Sequence, residues 1–169
     1  EILKDFESAY DLKYVSFRYF NAAGHDPEGE LSERHEPETH LLPLVLQAVN
    51  GQRDSINIYG NDYDTKDGTC IRDYIHVNDL VNAHLKGLEY LNNSDTSSAE
   101  FNLGNGKGYS VKEIIQKVKE ITQKDFKVLE TARRDGDSAV LIASSDKARK
   151  QLEIGRDFID IEKIIKTLM

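Results

Sequence analysis

The sequence predicts an α/β fold, because short strand-like segments alternate with amphipathic helical segments along its length. The clearest strand pattern covers residues 14–20, where apolar residues occupy alternate positions. The clearest helix follows Ser110 and Glu113, which form a capping box ahead of an apolar stripe at helical spacing. Such alternation is typical of sheets covered by helices.

The other elements are predicted from the same two patterns. Each predicted helix carries apolar residues at spacings of three or four, and in chain order the helices cover 2–10, 41–49, 78–91, 111–121, 146–152 and 160–168. Each predicted strand is a short apolar run bounded by turn residues, and the strands cover 14–20, 56–59, 74–77, 100–103, 126–129 and 139–143. Residues 21–38 form a polar loop whose length points to function, and residues 92–98 a surface loop.

Composition excludes several functional classes. The 169 residues are 38% hydrophobic and 31% charged, with a formal net charge of -8. The acidic balance argues against a nucleic-acid partner, and no apolar run is long enough for a membrane span. The single cysteine, Cys70, excludes an internal disulfide and fits a reducing compartment. We therefore predict a cytoplasmic chain that binds neither nucleic acid nor membrane.

The stretch from Gly68 to Val77, GTCIRDYIHV, concentrates charge, hydroxyl and aromatic groups ahead of a predicted strand. Arg72 at the mouth of that strand suits an anionic ligand, because a guanidinium is a planar fork of donors matched to phosphate and carboxylate. The alternative is that Arg72 and Asp73 pair with structural neighbours. The residues alone leave both interpretations open.

Two other motifs are weaker candidates for a ligand or metal site. The glycines of Gly104-Asn105-Gly106-Lys107-Gly108 lack the spacing of phosphate-binding loops, so a plain strand-to-helix turn is predicted there. His35 and His40 flank Pro37 and are five residues apart, whereas a zinc-binding helix carries its histidines four apart. They are not expected to share a face, and no metal site is predicted.

The run NDYDTKDGTCIRDYIHV, together with RYFNAAG near the start and ARRDGD further on, closely resembles the UDP-glucose 4-epimerases of the extended short-chain dehydrogenase/reductase group. The resemblance covers nearly the whole chain. It implies an NAD-dependent isomerase of galactose metabolism, homodimeric as a whole protein, that acts on UDP-glucose and UDP-galactose. It also implies that residues 1–169 interleave late elements of a Rossmann-like NAD-binding fold with a UDP-sugar-binding subdomain.

The resemblance implies a role for each of several residues. Arg72 and Arg134 would clamp the UDP diphosphate, and Asp137 would bind the ribose. Asn21 would contact the substrate near the sugar phosphate, and Phe20 would lie beside the nicotinamide ring. The remaining implied contacts are on the uridine side and are made by His40, Leu41, Asn57 and Tyr59. The family usually has Asn at the position of His40.

Leu141 corresponds to a residue that gates the hexose site of the family. A tyrosine at this position crowds the 2-position of the sugar, and a small residue admits an N-acetyl group. The resemblance therefore implies that Leu141 permits some use of UDP-N-acetylglucosamine. The alternative is that Leu141 points into the core from an apolar strand over 139–143.

The catalytic Tyr-x-x-x-Lys pair of the family is missing, because none of the eight tyrosines has a lysine four residues later. A dinucleotide-binding glycine fingerprint is missing too. The resemblance thus implies that the chain is a carboxy-terminal portion whose catalytic pair lies upstream. Such a portion is expected to be inactive alone and to bind NAD only weakly. It is also expected to self-associate through the strand over 14–20. Two alternatives stay open, another nucleotide-sugar epimerase or dehydratase of the same group, or a non-catalytic UDP-sugar-binding module.

Overall fold

A computed structural model describes residues 1–93, 97–155 and 157–169, and it confirms the α/β prediction. The helices are α1 (Ile2–Tyr10), α2 (Leu41–Val49), α3 (Val77–Asn92), α4 (Val111–Thr122), α5 (Asp146–Leu152) and α6 (Ile161–Thr167). The strands are β1 (Val15–Tyr19), β2 (Asn21–Ala23), β3 (Ser55–Tyr59), β4 (Ile71–His76), β5 (Ala99–Leu103), β6 (Gly108–Ser110), β7 (Lys127–Thr131) and β8 (Val140–Leu141). Residues 94–96 of the predicted loop 92–98 lie outside the described residues. Within the described part, every helix is too short or too polar to cross a membrane.

The strands form three groups, and most pairs are parallel. β1 pairs with β5, and β3 pairs with β7, both in parallel. β4 is the centre of the largest group, with β2 and β8 parallel to it and β6 antiparallel. Parallel pairs need crossover connections, which the helices between them supply.

The chain changes from one strand group to another at Phe20. The sequence predicted one strand over 14–20 followed by a loop from residue 21, but β1 ends at Tyr19 and β2 begins at Asn21. The Phe20 backbone N–H still donates to Leu103 O at 3.0 Å, and the next residue, Asn21, lies opposite Tyr74 of β4. This prediction was wrong because the break comes from pairing with distant strands, which local periodicity does not report. The break lies at the carboxyl end of β1, and ligands of α/β sheets bind outside the carboxyl ends of strands.

Two apolar clusters hold the layers together. One packs α2, β3, α4 and α6 around Leu42, Val45, Ile114 and Ile165, all almost fully buried. The other packs β1, β5, α3 and α5 around Phe101 and neighbouring residues. The capping box predicted at the start of α4 is confirmed, with Glu113 N donating to Ser110 Oγ and Ser110 N to the Glu113 carboxylate.

Asp73 is a fully buried carboxylate that organises the turn after β5. It accepts hydrogen bonds from the backbone N–H groups of Asn105 (2.9 Å), Gly106 (2.8 Å) and Ala143 (3.1 Å). A Cβ at Gly104 would stand 2.6 Å from this carboxylate, so the close approach requires glycine. Asp73 therefore pairs with structural neighbours, which is one of the two interpretations that the sequence left open. Two N–H groups of the glycine-rich turn thus donate to a protein carboxylate.

Three local predictions need correction. The turn over 104–108 contains part of a short strand, β6, which pairs with β4. Helix α3 begins at Val77, one residue before its predicted start at residue 78. Its N-cap is His76, whose Nδ1 accepts from Asn78 N at 3.1 Å. Burial lowers the pKa of His76, which suits a neutral ring that accepts this bond. The predicted strand over 139–143 is reduced to the two residues of β8.

Several apolar side chains face solvent on α1 and α3. Helix α1 buries no residue, and Val81, Leu85 and Leu88 of α3 are each more than half exposed. The buried face of α3 is formed instead by Asp79, Leu80, Ala83 and Gly87. Among the described residues, β1 pairs only with β5, so its other edge has no strand partner, and self-association through residues 14–20 stays a prediction.

Candidate functional site

A cavity of about 260 Å³ lies between α2, β3, β4 and the loop before β8. It brings together most of the substrate-binding residues predicted from the sequence, although they are spread over more than one hundred positions of the chain. Those lining it are Asn21, His40, Leu41, Asn57, Tyr59, Arg72, Arg134 and Asp137. Apolar side chains, among them Leu44, Ile56 and Val111, complete the lining, and convergent polar groups beside apolar ones are what small-ligand sites share.

Arg72 is held at the wall of this cavity by the protein itself. Its Nη1 donates to Ser138 O at 2.7 Å and to Ile71 O at 2.9 Å, and its Nη2 donates to Asp137 Oδ1 at 3.1 Å. Only 15% of the Arg72 side chain is exposed. Both sequence interpretations of Arg72 therefore have support, because its structural partners fix a guanidinium that also lines the cavity. A charge fixed in advance loses little freedom when it meets an anion.

The two adjacent arginines of the Arg133-Arg134 pair point to different places. Arg133 Nε donates to Asp62 Oδ1 at 2.6 Å, and its guanidinium lies over the Tyr63 ring. Arg134 instead stacks on the Tyr59 ring, with 3.7 Å between the guanidinium carbon and the ring centre. Of these two arginines, only Arg134 lines the cavity. Contact with Arg134 lowers the pKa of the Tyr59 phenol, and Asn57 adds to the effect.

A second and larger cavity, of about 670 Å³, lies beside the first. Phe20 and Leu141 line it, and Asn21 and His40 line both cavities. The two spaces therefore meet at Asn21 and His40. This places the residue implied for the nicotinamide and the residue implied for the sugar gate in one compartment, next to the compartment that contains the arginines.

Leu141 does not point into the core. It lies in β8 opposite Arg72 of β4, and 47% of the residue is exposed. The alternative interpretation of Leu141 as a core residue is therefore wrong, because β8 pairs at the rim of its sheet, where one face meets the larger cavity.

Comparison with known proteins gives the family. Residues 1–104 match the model described as the NAD dependent epimerase/dehydratase family. The chain belongs to the NAD-dependent epimerase/dehydratase family. It is also 50% identical over 160 residues to a UDP-glucose 4-epimerase of Halalkalibacterium halodurans, covering 95% of this chain and 48% of that protein.

Solved structures of this epimerase/dehydratase family are closely similar. The chain matches a UDP-glucose 4-epimerase from Brucella ovis in complex with NAD at 44% identity and a TM-score of 0.92, over 98% of this chain and 51% of that one. It matches a UDP-glucose 4-epimerase from Bifidobacterium longum in complex with NAD+ and UDP at 34% identity and a TM-score of 0.90, over 99% and 50%. The chain thus spans about half the length of the relatives it matches.

The site of this family member contains residues that sequence reasoning missed. Arg53 lines the smaller cavity as a third guanidinium, and its charge contributes to the lowered pKa of Tyr59. Thr39 and Cys70 line it as well. The only signal for Arg53 was its position between α2 and β3, next to the strand that carries Asn57 and Tyr59. A single basic residue in a polar turn gives no pattern by itself.

The loop before α2 also differs from its prediction. His35 and His40 were not expected to share a face, but they lie side by side, with 5.3 Å between ring centres. Glu38 lies between them, and its carboxylate is 2.9 Å from His40 Nδ1. The prediction assumed helical geometry, whereas this segment is irregular and folds back on itself. Burial opposes ionisation of Glu38, but hydrogen bonds from His40 and Thr39 outweigh it and lower its pKa.

Proposed function

We propose that the chain forms the carboxy-terminal, UDP-sugar-binding half of an NAD-dependent UDP-glucose 4-epimerase, a cytoplasmic enzyme that interconverts UDP-glucose and UDP-galactose. The observation that carries the proposal is the convergence of Arg72 and Arg134 on one cavity that also contains Asn57 and Tyr59. Two guanidinium groups match the two phosphates of a nucleoside diphosphate, and an aromatic ring with an amide suits a flat base.

The proposed orientation of the substrate follows from the two cavities. The uracil lies near Asn57 and Tyr59, the diphosphate lies between Arg72 and Arg134, and the ribose meets Asp137. The sugar passes Asn21 into the larger cavity, between Phe20 and Leu141. Asn21 suits this junction because an amide can donate to a phosphate oxygen and accept from a sugar hydroxyl.

NAD is the cofactor of the proposed whole enzyme, and when bound it would supply reversible hydride transfer with the sugar. Phe20 lies on the wall of the larger cavity, which supports the proposal that it packs against the nicotinamide. The contribution of this chain to NAD binding is proposed to be limited to such packing. The late elements of the dinucleotide fold are proposed to be β1, β5 and the helices packed on them, and the cluster around α2 and α4 belongs to the substrate subdomain.

Base-selective binding tests the proposed function directly. The chain should bind UDP with one site per molecule by calorimetry, and more tightly than ADP, because a cavity of about 260 Å³ has less room for a purine than for uracil. ADP is the matched control, since it carries the same diphosphate and ribose. Equal affinity for the two nucleotides, or no binding of either, contradicts the proposal.

The 169-residue chain alone should not convert UDP-galactose. It carries no Tyr-x-x-x-Lys pair, and loss of a positioned general base typically lowers rates by about 10²–10⁴-fold. Incubation of the pure chain with NAD and UDP-galactose should give no UDP-glucose above a protein-free blank. Measurable UDP-glucose would show that the chain has its own catalytic groups.

The same assay on the whole enzyme distinguishes the alternatives. An epimerase returns UDP-glucose, a dehydratase of the same group returns a keto-deoxy sugar nucleotide, and a non-catalytic binding module returns only UDP-galactose. Conversion to UDP-glucose supports the proposal, and either of the other outcomes overturns it.

Replacing Leu141 with tyrosine should narrow the sugar specificity of the whole enzyme. Leu141 borders the larger cavity opposite Arg72 in the strand register, so added bulk there enters the space proposed for the sugar. We expect the ratio of UDP-N-acetylglucosamine to UDP-glucose turnover to fall by at least about tenfold, since one side chain can impose such a clash. Steady-state rates on both sugars measure this ratio. Leu141→Met is the volume-matched control, and an unchanged ratio in Leu141→Tyr would show that Leu141 is not the gate.

A further inference from the structure

The loop that precedes α2 gathers a cluster of titratable side chains, of which only His40 has an implied contact with the substrate. The ligand atoms of His35, Glu38 and His40 all lie within 4.8 Å of one another. Glu38 Oε1 is 2.9 Å from His40 Nδ1 and 3.9 Å from His35 Nδ1. Glu33 adds a second carboxylate, 3.5 Å from His40 Nδ1.

We propose that His35, Glu38 and His40 form a binding site for one divalent transition-metal ion of the zinc type. Two imidazole nitrogens and one carboxylate oxygen are a donor set that zinc uses. With bonds of about 2.0–2.2 Å, the donors of a tetrahedral ion are about 3.3–3.6 Å apart. The distances of Glu38 Oε1 to the two histidines bracket that range, so modest side-chain rotations bring the three groups into position.

The central ligand is already fixed in place. Only 10% of the Glu38 side chain is exposed, and Glu38 Oε1 accepts hydrogen bonds from the backbone N–H groups of Thr39 (2.6 Å) and His40 (2.7 Å). Such outer contacts orient ligands in protein metal sites. The charges balance as well, because the carboxylates of Glu38 and Glu33 together offset a divalent cation while both histidines bind as neutral rings.

The position of the site indicates what the ion does. His40 lines both cavities and is the N-cap residue of α2, whereas His35 lies further back in the loop. An ion held by both histidines therefore ties the loop to the start of α2, at the junction of the two cavities. The ion has a structural role, which is to fix the loop to α2. It is separate from the arginines that face the proposed diphosphate.

Calorimetric titration of the chain with ZnCl₂ tests the site without any nucleotide or activity assay. We expect one ion per chain and no comparable binding of Mg²⁺, which prefers oxygen ligands. His35→Ala and Glu38→Gln should each weaken Zn²⁺ binding by more than about tenfold, the smallest effect seen even for changes outside the direct ligands. His25→Ala, which removes a histidine outside the cluster, is the matched control and should leave the affinity unchanged.

Cobalt provides a second readout. Co²⁺ bound by the chain should give the visible absorption of a nitrogen- and oxygen-bound ion, and His35→Ala should reduce it. Both His35 and Glu38 lie in an irregular loop outside the apolar clusters, and circular dichroism will show whether each variant keeps its fold. Zn²⁺ affinity unchanged in both His35→Ala and Glu38→Gln, or equally reduced in His25→Ala, overturns the proposal.

Discussion

Alanine at either Arg72 or Arg134 is expected to weaken UDP binding by about 1.5–3 kcal/mol, the size of a hydrogen bond to a charged group. Both guanidinium groups line the smaller cavity, and each is fixed by protein contacts, Arg72 by Asp137 and Ser138 O, and Arg134 by the Tyr59 ring. Lysine should be a poor replacement at both positions, because an ammonium has no planar fork of donors. Calorimetric titration of UDP into each variant measures the loss.

The adjacent Arg133 is the matched control for this experiment. It has the same charge and sits one residue from Arg134, but it pairs with Asp62 and lies over Tyr63, away from the cavity lining. Arg133→Ala should therefore leave the UDP affinity nearly unchanged. An equal loss in all three alanine variants would indicate a general charge effect, and full affinity in both Arg72→Ala and Arg134→Ala would refute the assigned clamp.

Asp73→Ala is expected to lower the free energy of unfolding by more than about 3 kcal/mol. The substitution leaves the N–H groups of Asn105, Gly106 and Ala143 without their acceptor. Those of Asn105 and Ala143 are buried, and each buried donor left unpaired costs about 1–3 kcal/mol. Asp73→Asn keeps one carbonyl oxygen and should lose less. Chemical denaturation measures both variants.

The control for Asp73 is an exposed acid in the polar segment that leads into β4. Asp64→Ala should change the free energy of unfolding by no more than about 0.5 kcal/mol, as surface substitutions do. A loss below about 1 kcal/mol in Asp73→Ala would mean that water or another group satisfies the three N–H donors, and that Asp73 does not hold the turn.

The helices were predicted well because their signals are local. The bounds of α2 and α5 agree with the pattern, and the capping box of α4 marks its start within the sequence itself. The short strands β2, β6 and β8 were missed or misplaced because each consists of two or three residues that pair with β4. Their strand character comes from a distant partner, which no local periodicity contains.

The exposed stripe on α3 shows a second limit of sequence patterns. Val81, Leu85 and Leu88 repeat at helical spacing, yet they face solvent, whereas the small residues Ala83 and Gly87 face the core. The Gly87 backbone is packed so closely that an added Cβ would stand 2.8 Å from the Phe17 ring. Close packing of helix on strand selects small residues, so the apolar stripe of α3 does not mark its buried face.

The candidate site was predicted largely through resemblance rather than through patterning. Long motifs identified Arg72, Arg134 and Asp137, and the fold brings them together. Arg53 was missed because it belongs to no motif. His35 and His40 were misjudged because their proximity depends on the path of an irregular loop.

A crystal structure of this chain with UDP would show directly whether the smaller cavity binds the nucleotide. We expect diphosphate oxygens within hydrogen-bond distance of both Arg72 and Arg134, with the uracil beside Asn57 in the smaller cavity. UDP ordered at another surface, or a diphosphate that contacts neither arginine, would contradict it.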